Sequence, residues 1–240
     1  MRNVYIFNPG PAVLPEPVLE STSKAAINFA NTGMSIMEVS HRSKEFDALI
    51  NDTISLLKDI MGIPENYKIL FLQGGASLQF AMVPMNLLGP GETADYIDTG
   101  SWSSNAIKEA KKIGKVNVAA SSKDQDYTRI PSPDEIKLTP GAAYCHITSN
   151  NTIFGSQWQS FPDTKDVPLV ADMSSDILSR VIDVSKFGLI YAGAQKNMGP
   201  SGVTVVIIRE DLAEKAPENT PTMLKYSTHV SKNSISAPRE

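Results

Sequence analysis

Short, continuously apolar segments recur along the chain, and stretches with helical periodicity separate the early ones. Seven segments have the length and composition of buried strands: residues 68–72, 94–97, 116–119, 143–148, 168–172, 189–192 and 203–208. Strands that are apolar on both faces and joined by helices are typical of a mainly parallel sheet covered on both sides. The pattern therefore predicts an α/β fold, a mainly parallel sheet flanked by helices in an α/β/α sandwich.

Helical periodicity marks residues 16–30, 78–88 and 103–113, and Ser43 has the side chain of an N-cap for a further helix. The apolar face of that helix would consist of Phe46, Leu49, Ile50, Ile54, Leu57, Ile60 and Met61. The final stretch, residues 226–240, is polar and predicts no element of its own. Because an α/β enzyme of this kind usually continues, we expect the chain to be incomplete.

Composition excludes several classes of function. The formal net charge of −4 argues against a nucleic-acid binder. The sequence contains neither an apolar run long enough to span a membrane nor the apolar core of a signal peptide. A single cysteine, Cys145, in an apolar segment predicts a buried thiol, and three scattered histidines make a metal site improbable. These features predict a cytoplasmic protein without bound metal.

Lys196 is the most informative single residue. It lies in a run of small, uncharged residues, 191–200 (YAGAQKNMGP), between two apolar segments. A lysine at a strand exit in such surroundings is expected to be partly buried, which lowers its pKa and leaves a nucleophilic amine. Amines of this kind form Schiff bases with carbonyl substrates or with pyridoxal phosphate. The alternative is an ordinary solvated lysine.

Two further segments lie at predicted strand ends, where ligands bind in open α/β sheets. Residues 73–77 (QGGAS) form a glycine turn before a helix, which suits an anion but is also common as a purely structural turn. Asp172 ends another apolar strand, where it could cap a helix or pair with a protonated pyridine nitrogen. One strand-sized segment separates Asp172 from Lys196, so the two are expected on neighbouring strand ends.

Other side chains at the same predicted edge are compatible with a ligand. Trp102 follows a strand-to-helix turn and could stack on a planar cofactor, although core packing is the commoner role. Thr152 offers a hydroxyl beyond the fourth strand. Arg42, next to His41, could hold a carboxylate with two hydrogen bonds or form an ordinary surface ion pair.

Taken together and in this order, these motifs resemble the phosphoserine aminotransferase family, pyridoxal-phosphate enzymes of fold type I in the class V aminotransferase group. The resemblance runs from residue 7 to about residue 234. It is carried by residues 7–12 (FNPGPA), 34–43 (MSIMEVSHRS), 71–80 (FLQGGASLQF), 99–103 (TGSWS), 146–153 (HITSNNTI), 171–180 (ADMSSDILSR) and 191–197 (YAGAQKN).

The resemblance implies a role for each residue at the cofactor ring. Lys196 would be the Schiff-base lysine and would carry the proton between the substrate Cα and the cofactor C4′. Asp172 would pair with the pyridine nitrogen. Trp102 would stack on the ring, and Thr152 would hydrogen-bond the phenolic oxygen.

The resemblance also implies the binding of the cofactor phosphate. Ala76 and Ser77 would bind it chiefly through backbone N–H groups and a hydroxyl, within the same turn as Gly75, and Gln195 would add a contact. Ser77 stands where many relatives carry arginine, so one phosphate contact is expected to be weaker or replaced.

The implied reaction is a ping-pong transfer of an amino group. L-Glutamate would leave as 2-oxoglutarate, and 3-phosphohydroxypyruvate would leave as O-phospho-L-serine, a step of serine biosynthesis. A related transamination would serve pyridoxine synthesis. His41 and Arg42 would contact the substrate, with Arg42 on the glutamate carboxylate. A homodimer is also implied.

The resemblance further implies a domain organisation. Residues 1–15 would form an arm on the substrate side, residues 16–226 the large cofactor-binding domain, and residues 227–240 a polar tail. Relatives continue into a smaller C-terminal domain. Near this point they carry an Asn-Thr pair that reaches the partner's cofactor phosphate, and Ala237 and Pro238 cannot replace those side chains.

Three interpretations follow from the sequence. The first is a phosphoserine aminotransferase. The second is another class V pyridoxal-phosphate enzyme, such as a desulfurase or an alanine–glyoxylate type transaminase. The Arg42 region and the extended family match weigh against it, and a desulfurase would need a mobile catalytic cysteine that this chain lacks. The third is a catalytically silent, truncated protein that binds the cofactor or only a partner subunit.

Overall fold

Seven strands form one sheet, in the order β1-β7-β6-β5-β4-β2-β3. The structure is a computed structural model that describes residues 4–232. The strands are β1 (Tyr67–Leu72), β2 (Thr93–Asp98), β3 (Lys115–Ser121), β4 (Cys145–Thr148), β5 (Leu169–Asp172), β6 (Leu189–Gly193) and β7 (Thr204–Arg209). Each of the seven predicted strands is confirmed, with ends that agree to within two residues.

The sheet is mainly parallel. Strands β3, β2, β4, β5 and β6 pair in parallel, whereas β7 is antiparallel to both of its neighbours, β6 and β1. The parallel strands therefore end at one edge, and the antiparallel β7 begins there. The predicted fold class is confirmed.

Six α-helices accompany the sheet in the described part of the chain: α1 (Glu16–Ile27), α2 (Lys44–Met61), α3 (Gly75–Leu87), α4 (Ser101–Ile113), α5 (Glu210–Ala213) and α6 (Tyr226–Val230). Ser43 caps α2 as predicted, because its Oγ accepts a hydrogen bond from the Phe46 N–H at 3.2 Å. Helix α1 is shorter than predicted. It ends at Ile27, and a 3₁₀ turn follows in which Ala30 has a positive φ that α-helix cannot continue through.

Two apolar cores pack on opposite faces of the sheet. Alternate residues along each strand enter one core or the other, as Ile69 and Leu70 do in β1. Helices α3 and α4 lie in the core that contains Leu70, whereas the C-terminal end of α2 lies in the core that contains Ile69. This double burial explains why the central strands β5, β6 and β7 are almost continuously apolar.

Two predictions about the helices are wrong in part. Of the apolar face predicted for α2, Leu57 and Met61 are buried, but Leu49 is 38% and Ile60 is 66% exposed. The segment from residue 226 is not without structure: α6 begins there, and Tyr226 is fully buried in the α3–α4 core. The Tyr226 hydroxyl donates to Gln79 Oε1 at 2.7 Å, which fixes α6 against α3. Burial of the single aromatic side chain of Tyr226 thus stabilises a helix in a segment whose other residues are mostly polar.

No helix within residues 4–232 has the length and apolar character needed to cross a membrane. The same residues contain no group of three or more histidine, cysteine, aspartate or glutamate side chains arranged to hold a metal ion. Cys145 is buried, as predicted, and burial raises the pKa of its thiol to about 12. Ala237 and Pro238 lie outside the described residues.

Candidate active site

The carboxyl ends of β5 and β6 bring Asp172 and Lys196 to the same edge of the sheet. Asp172 is the last residue of β5 and pairs in register with Tyr191 of the neighbouring strand β6. Lys196 follows three residues after β6 ends. The prediction that these two residues lie on neighbouring strand ends is confirmed.

The Lys196 amine is held between two hydroxyl groups and an aromatic ring. Its Nζ donates to Thr152 Oγ1 and, at 3.1 Å, to Ser175 Oγ. The same atom lies 5.5 Å from the centroid of the Trp102 ring. Burial lowers the pKa of Lys196, and the nearby Asp172 carboxylate opposes this only in part. The predicted partly buried lysine with a lowered pKa is confirmed.

Asp172 is almost completely buried, at 4% exposure. Its Oδ1 accepts hydrogen bonds from the Ser174 backbone N–H at 3.0 Å and from the Ser174 hydroxyl at 2.6 Å. Burial raises the pKa of Asp172, while the Ser174 donors lower it. Both hydrogen bonds described for this carboxylate end on Oδ1, so Oδ2 is left for a ligand.

Trp102 is the second residue of α4, and the turn that precedes it is held by Asp98. Asp98 Oδ1 accepts from the Ser103 and Ser104 hydroxyls at 2.9 and 2.8 Å, and its Oδ2 accepts from the Tyr127 hydroxyl at 3.1 Å. The Trp102 Nε1–H is buried and has no hydrogen-bond partner among the described residues. The indole is therefore fixed in place with an unsatisfied donor.

Helix α3 begins earlier than predicted, so that Gly75, Ala76 and Ser77 form its first turn. The first backbone hydrogen bond back into this turn comes from Leu78, whose N–H donates to the Gly74 carbonyl at 3.3 Å. No side chain caps the helix. The amides of the first turn point away from the helix and, with the positive end of its dipole, favour an anion.

Gly10 and Ala12, which precede α1, contact the segment that carries the lysine. The Ala12 N–H donates to the Gln195 carbonyl at 2.8 Å. Gly10 approaches so closely that a Cβ there would lie 3.0 Å from Lys196 Cγ. The Gln195 side chain folds back over Gly193, where an added Cβ would be 2.7 Å from Gln195 Oε1.

His41 and Arg42 lie between α1 and α2. His41 is partly buried, and its Nε2 has no hydrogen-bond partner in the part of the chain that the structure describes. Arg42 is exposed. None of the hydrogen bonds given above for Lys196 and Asp172 involves either residue, so their predicted substrate contacts remain a prediction.

Sequence reasoning missed the two serines that directly support the predicted pair. Ser174 holds Asp172, and it also accepts a hydrogen bond from the Gly193 N–H at 3.0 Å, which ties β5 to the end of β6. Ser175 contacts Lys196 and Thr152. The only signal available was their position directly after a strand that ends in aspartate, a position that usually indicates a turn.

A profile of the class-V aminotransferase family matches residues 4–236. The chain belongs to this family. Among curated proteins, the phosphoserine aminotransferase of Desulfosudis oleivorans is 61% identical to this class-V aminotransferase over 235 residues. That match covers 98% of this chain and 64% of the relative.

Solved structures agree with the family assignment. Phosphoserine aminotransferase from Bacillus circulans subsp. alkalophilus matches with a TM-score of 0.93 and 56% identity, over 97% of this chain and 64% of that chain. A PLP-bound phosphoserine aminotransferase from Trichomonas vaginalis matches with a TM-score of 0.90 and 38% identity, over 97% and 65%. The present class-V chain thus spans just under two thirds of the length of these relatives.

Proposed function

We propose that this chain binds pyridoxal 5′-phosphate and acts as a phosphoserine aminotransferase, an enzyme that transfers the amino group of L-glutamate to 3-phosphohydroxypyruvate. The observation that carries the proposal is the meeting of a buried carboxylate, a partly buried amine and an open helix N-terminus at one sheet edge. Identities of 54–61% to phosphoserine aminotransferases support the choice of substrates.

The residues present fit the cofactor. Trp102 offers an aromatic face on which a planar ring would stack, and Asp172 Oδ2 is an acceptor for a protonated ring nitrogen. Two buried polar groups without partners among the described residues, Trp102 Nε1 and Thr148 Oγ1, are available to hydrogen-bond a polar ligand, and Thr148 pairs in register with Asp172. The first turn of α3 supplies N–H groups for a phosphate. Gly75, Ala76, Ser77 and Gln195 are the proposed phosphate ligands.

When bound, pyridoxal phosphate supplies an aldehyde for amines and an electron sink for the charge that develops at the substrate Cα. Asp172 would hold a proton on the pyridine nitrogen. The Lys196 amine would hold the cofactor aldehyde and, when free, its Nζ would take the proton from the substrate Cα, which requires the neutral amine that burial favours. Thr152 would orient the phenolic oxygen, and Trp102 would cover one face of the ring and exclude water from it.

The remaining roles belong to the same proposal. Arg42 binds the glutamate carboxylate bidentately, with His41 beside it. Residues 16–226 form the cofactor domain, and the contacts of Gly10 and Ala12 with residues 195–196 support a substrate-side arm at residues 1–15. We place the enzyme in the cytoplasm as a homodimer, in serine biosynthesis and, through 4-phosphohydroxy-L-threonine, in pyridoxine biosynthesis.

The test is the visible absorption of the purified chain with pyridoxal phosphate, before and after addition of glutamate. We expect a protein-dependent band that is lost in Lys196→Ala and retained in Lys186→Ala, which changes an exposed lysine. Glutamate should abolish the band and release one equivalent of 2-oxoglutarate. A band that is identical in Lys196→Ala would refute the cofactor assignment. A Lys196-dependent band that ignores glutamate would refute the aminotransferase activity of this chain and leave cofactor binding alone.

A further inference from the structure

Two segments that are far apart in sequence pack against each other at the candidate active site. One is the turn of residues 99–100, just before Trp102, and the other is the loop of residues 149–157 after β4, which carries Thr152. Trp102 and Thr152 both face the Lys196 amine, the first with its ring and the second with its hydroxyl. The separation of these two groups therefore depends on how the turn and the loop are joined.

Asn151 lies where the turn and the loop meet. Its side chain is 1% exposed, and its Oδ1 accepts a hydrogen bond from the Thr99 hydroxyl at 3.3 Å. Its Nδ2 donates to the Ser156 hydroxyl at 3.0 Å and to the Ser156 carbonyl at 3.3 Å. One amide side chain therefore holds its own loop through the nitrogen and the turn before Trp102 through the oxygen.

Close packing supplies a second contact that does not depend on this hydrogen bond. Gly100 approaches the loop so closely that a Cβ there would lie 2.8 Å from Asn151 Oδ1 and 3.0 Å from the Phe154 ring. Asn151 comes directly before Thr152 in the sequence, and Phe154 follows two residues after it. The loop is therefore in contact with the turn on both sides of Thr152.

The two ends of the loop are fixed elsewhere, to the turn after β5. The Ser149 hydroxyl donates to Asp176 Oδ1, and the Gln157 side chain donates to Asp176 Oδ2 at 3.0 Å. Asp176 is itself buried, at 8% exposure. The contacts with the turn before Trp102 lie between these two anchored ends, so they act on the part of the loop that carries Thr152.

We propose that Asn151 is a positioning residue that joins the Thr152 loop to the turn before Trp102, and so fixes the separation of the Trp102 ring and the Thr152 hydroxyl. This inference deepens the proposed function and rests on it, since these two groups are the ones proposed to hold the cofactor ring. Because Asn151 is buried, its effect on cofactor binding passes through the residues that it positions.

The first test uses the cofactor-free chain. Asn151→Ala removes the amide that joins the two segments, and hydrogen–deuterium exchange followed by mass spectrometry reports on each segment separately. We expect exchange to become roughly three- to tenfold faster in peptides that cover residues 99–104 and 150–157, and to stay unchanged in residues 73–80. Acceleration confined to residues 150–157 would overturn the proposal. This arm involves no cofactor, so its outcome is distinct from a failure of the proposed function.

The second test asks whether Asn151 acts through Thr152. Dissociation constants of pyridoxal phosphate for the wild type, Asn151→Ala, Thr152→Val and the double variant form a double-mutant cycle. We expect Asn151→Ala to weaken binding roughly three- to tenfold when Thr152 is present, but at most about twofold in the Thr152→Val chain. Equal weakening in both backgrounds would show that Asn151 does not position Thr152.

Further variants separate positioning from a general loss of structure. Ser77 lies in the first turn of α3, so Asn151→Ala should weaken binding by the same factor with and without Ser77→Ala; a coupling as large as that with Thr152 would overturn the proposal. Thr99→Val keeps the side-chain shape and removes only the donor to Asn151, so it should repeat both effects, and Thr99→Ser should restore wild-type values. Thr99→Val decides the matter if Asn151→Ala does not fold, and wild-type exchange and affinity in Thr99→Val would contradict the proposed link.

Discussion

Replacing Ser174 by alanine tests how strongly the buried Asp172 depends on its neighbour. The Ser174 hydroxyl donates to Asp172 Oδ1 at 2.6 Å and accepts from the Gly193 N–H at 3.0 Å. The variant therefore removes one charge-assisted hydrogen bond and leaves a backbone N–H without its acceptor. The Ser174 N–H remains as a donor to the carboxylate.

The magnitude follows from burial. A hydrogen bond to a charged group contributes about 1.5–3 kcal/mol, and a buried donor left unsatisfied costs about 1–3 kcal/mol. Part of the space can be taken by water, so we expect the free energy of unfolding at pH 7 to fall by about 2–4 kcal/mol in Ser174→Ala.

The loss should also depend on pH. Burial raises the folded-state pKa of Asp172 above its ordinary value near 3.8, so the folded chain retains a proton that the unfolded chain has already released. The free energy of unfolding therefore falls as the pH rises from about 3.8 through the raised pKa. Removing a donor to the carboxylate deepens this fall. The difference between wild type and variant should thus be larger at pH 7 than in acid, where Asp172 is protonated.

The chain contains its own control for this experiment. Ser185 donates to Asp183 through the same two groups at the same distances, 3.0 and 2.6 Å, but both residues are exposed. Urea unfolding of the cofactor-free chain, followed by circular dichroism at pH 7 and in acid, should give a much smaller loss for Ser185→Ala than for Ser174→Ala. Equal losses would refute the argument that burial gives the Ser174 bond its strength.

Two further predictions concern the core and the anion-binding turn. Burial lowers the pKa of His146 in the folded chain to about 3 from an ordinary value of 6.5. As the pH falls below about 6.5, the unfolded chain therefore binds a proton at His146 that the folded chain does not, and the free energy of unfolding decreases until the pH reaches about 3. At pH 5 the free energy of unfolding is lower by about 2 kcal/mol for this reason. His146→Gln should remove this decrease between pH 6.5 and 5, measured by urea unfolding. An unchanged slope in this pH range would contradict a lowered pKa for His146. Gly74 has φ +86°, and an added Cβ would lie 2.5 Å from the Leu78 side chain. Gly74→Ala should therefore lower the free energy of unfolding by at least about 1–2 kcal/mol and weaken phosphate binding at the first turn of α3. The control Gly62→Ala, with φ +61° and open space around the added Cβ, should cost only the backbone strain.

The strands were predictable because burial on both faces leaves a continuous apolar run, a signal that does not depend on neighbouring strands. The order of the strands was not. Nothing in residues 203–208 indicates that β7 runs antiparallel between β1 and β6, since an antiparallel strand that is buried on both faces has the same composition as a parallel one. Strand direction depends on the connection, and the short turn after β6 favours reversal over a helical crossover.

The charged members of the candidate site could be found from sequence, but their supports could not. A lysine among small residues and an aspartate that ends an apolar strand are both unusual, and an unusual residue type is visible without coordinates. Ser174 and Ser175 lie in a turn, where serine is common. Their importance depends on which atoms they face, and only the three-dimensional arrangement supplies that. The exposed side of α2 was missed for a similar reason, because periodicity shows an apolar face but not whether the described chain covers it.

The contact between the arm and the lysine segment has a consequence for the order in which the protein is made. Ala12 and Gln195 are joined by a backbone hydrogen bond, yet a ribosome synthesises the first long before the second. At a synthesis rate of about 5–20 residues per second, Gln195 is added on the order of ten seconds or more after Ala12. During this time Tyr5 and Phe7, which remain 93% and 90% exposed even in the folded chain, are available to chaperones. The segment around Ala12 is thus synthesised well before the segment that its backbone binds in the folded chain.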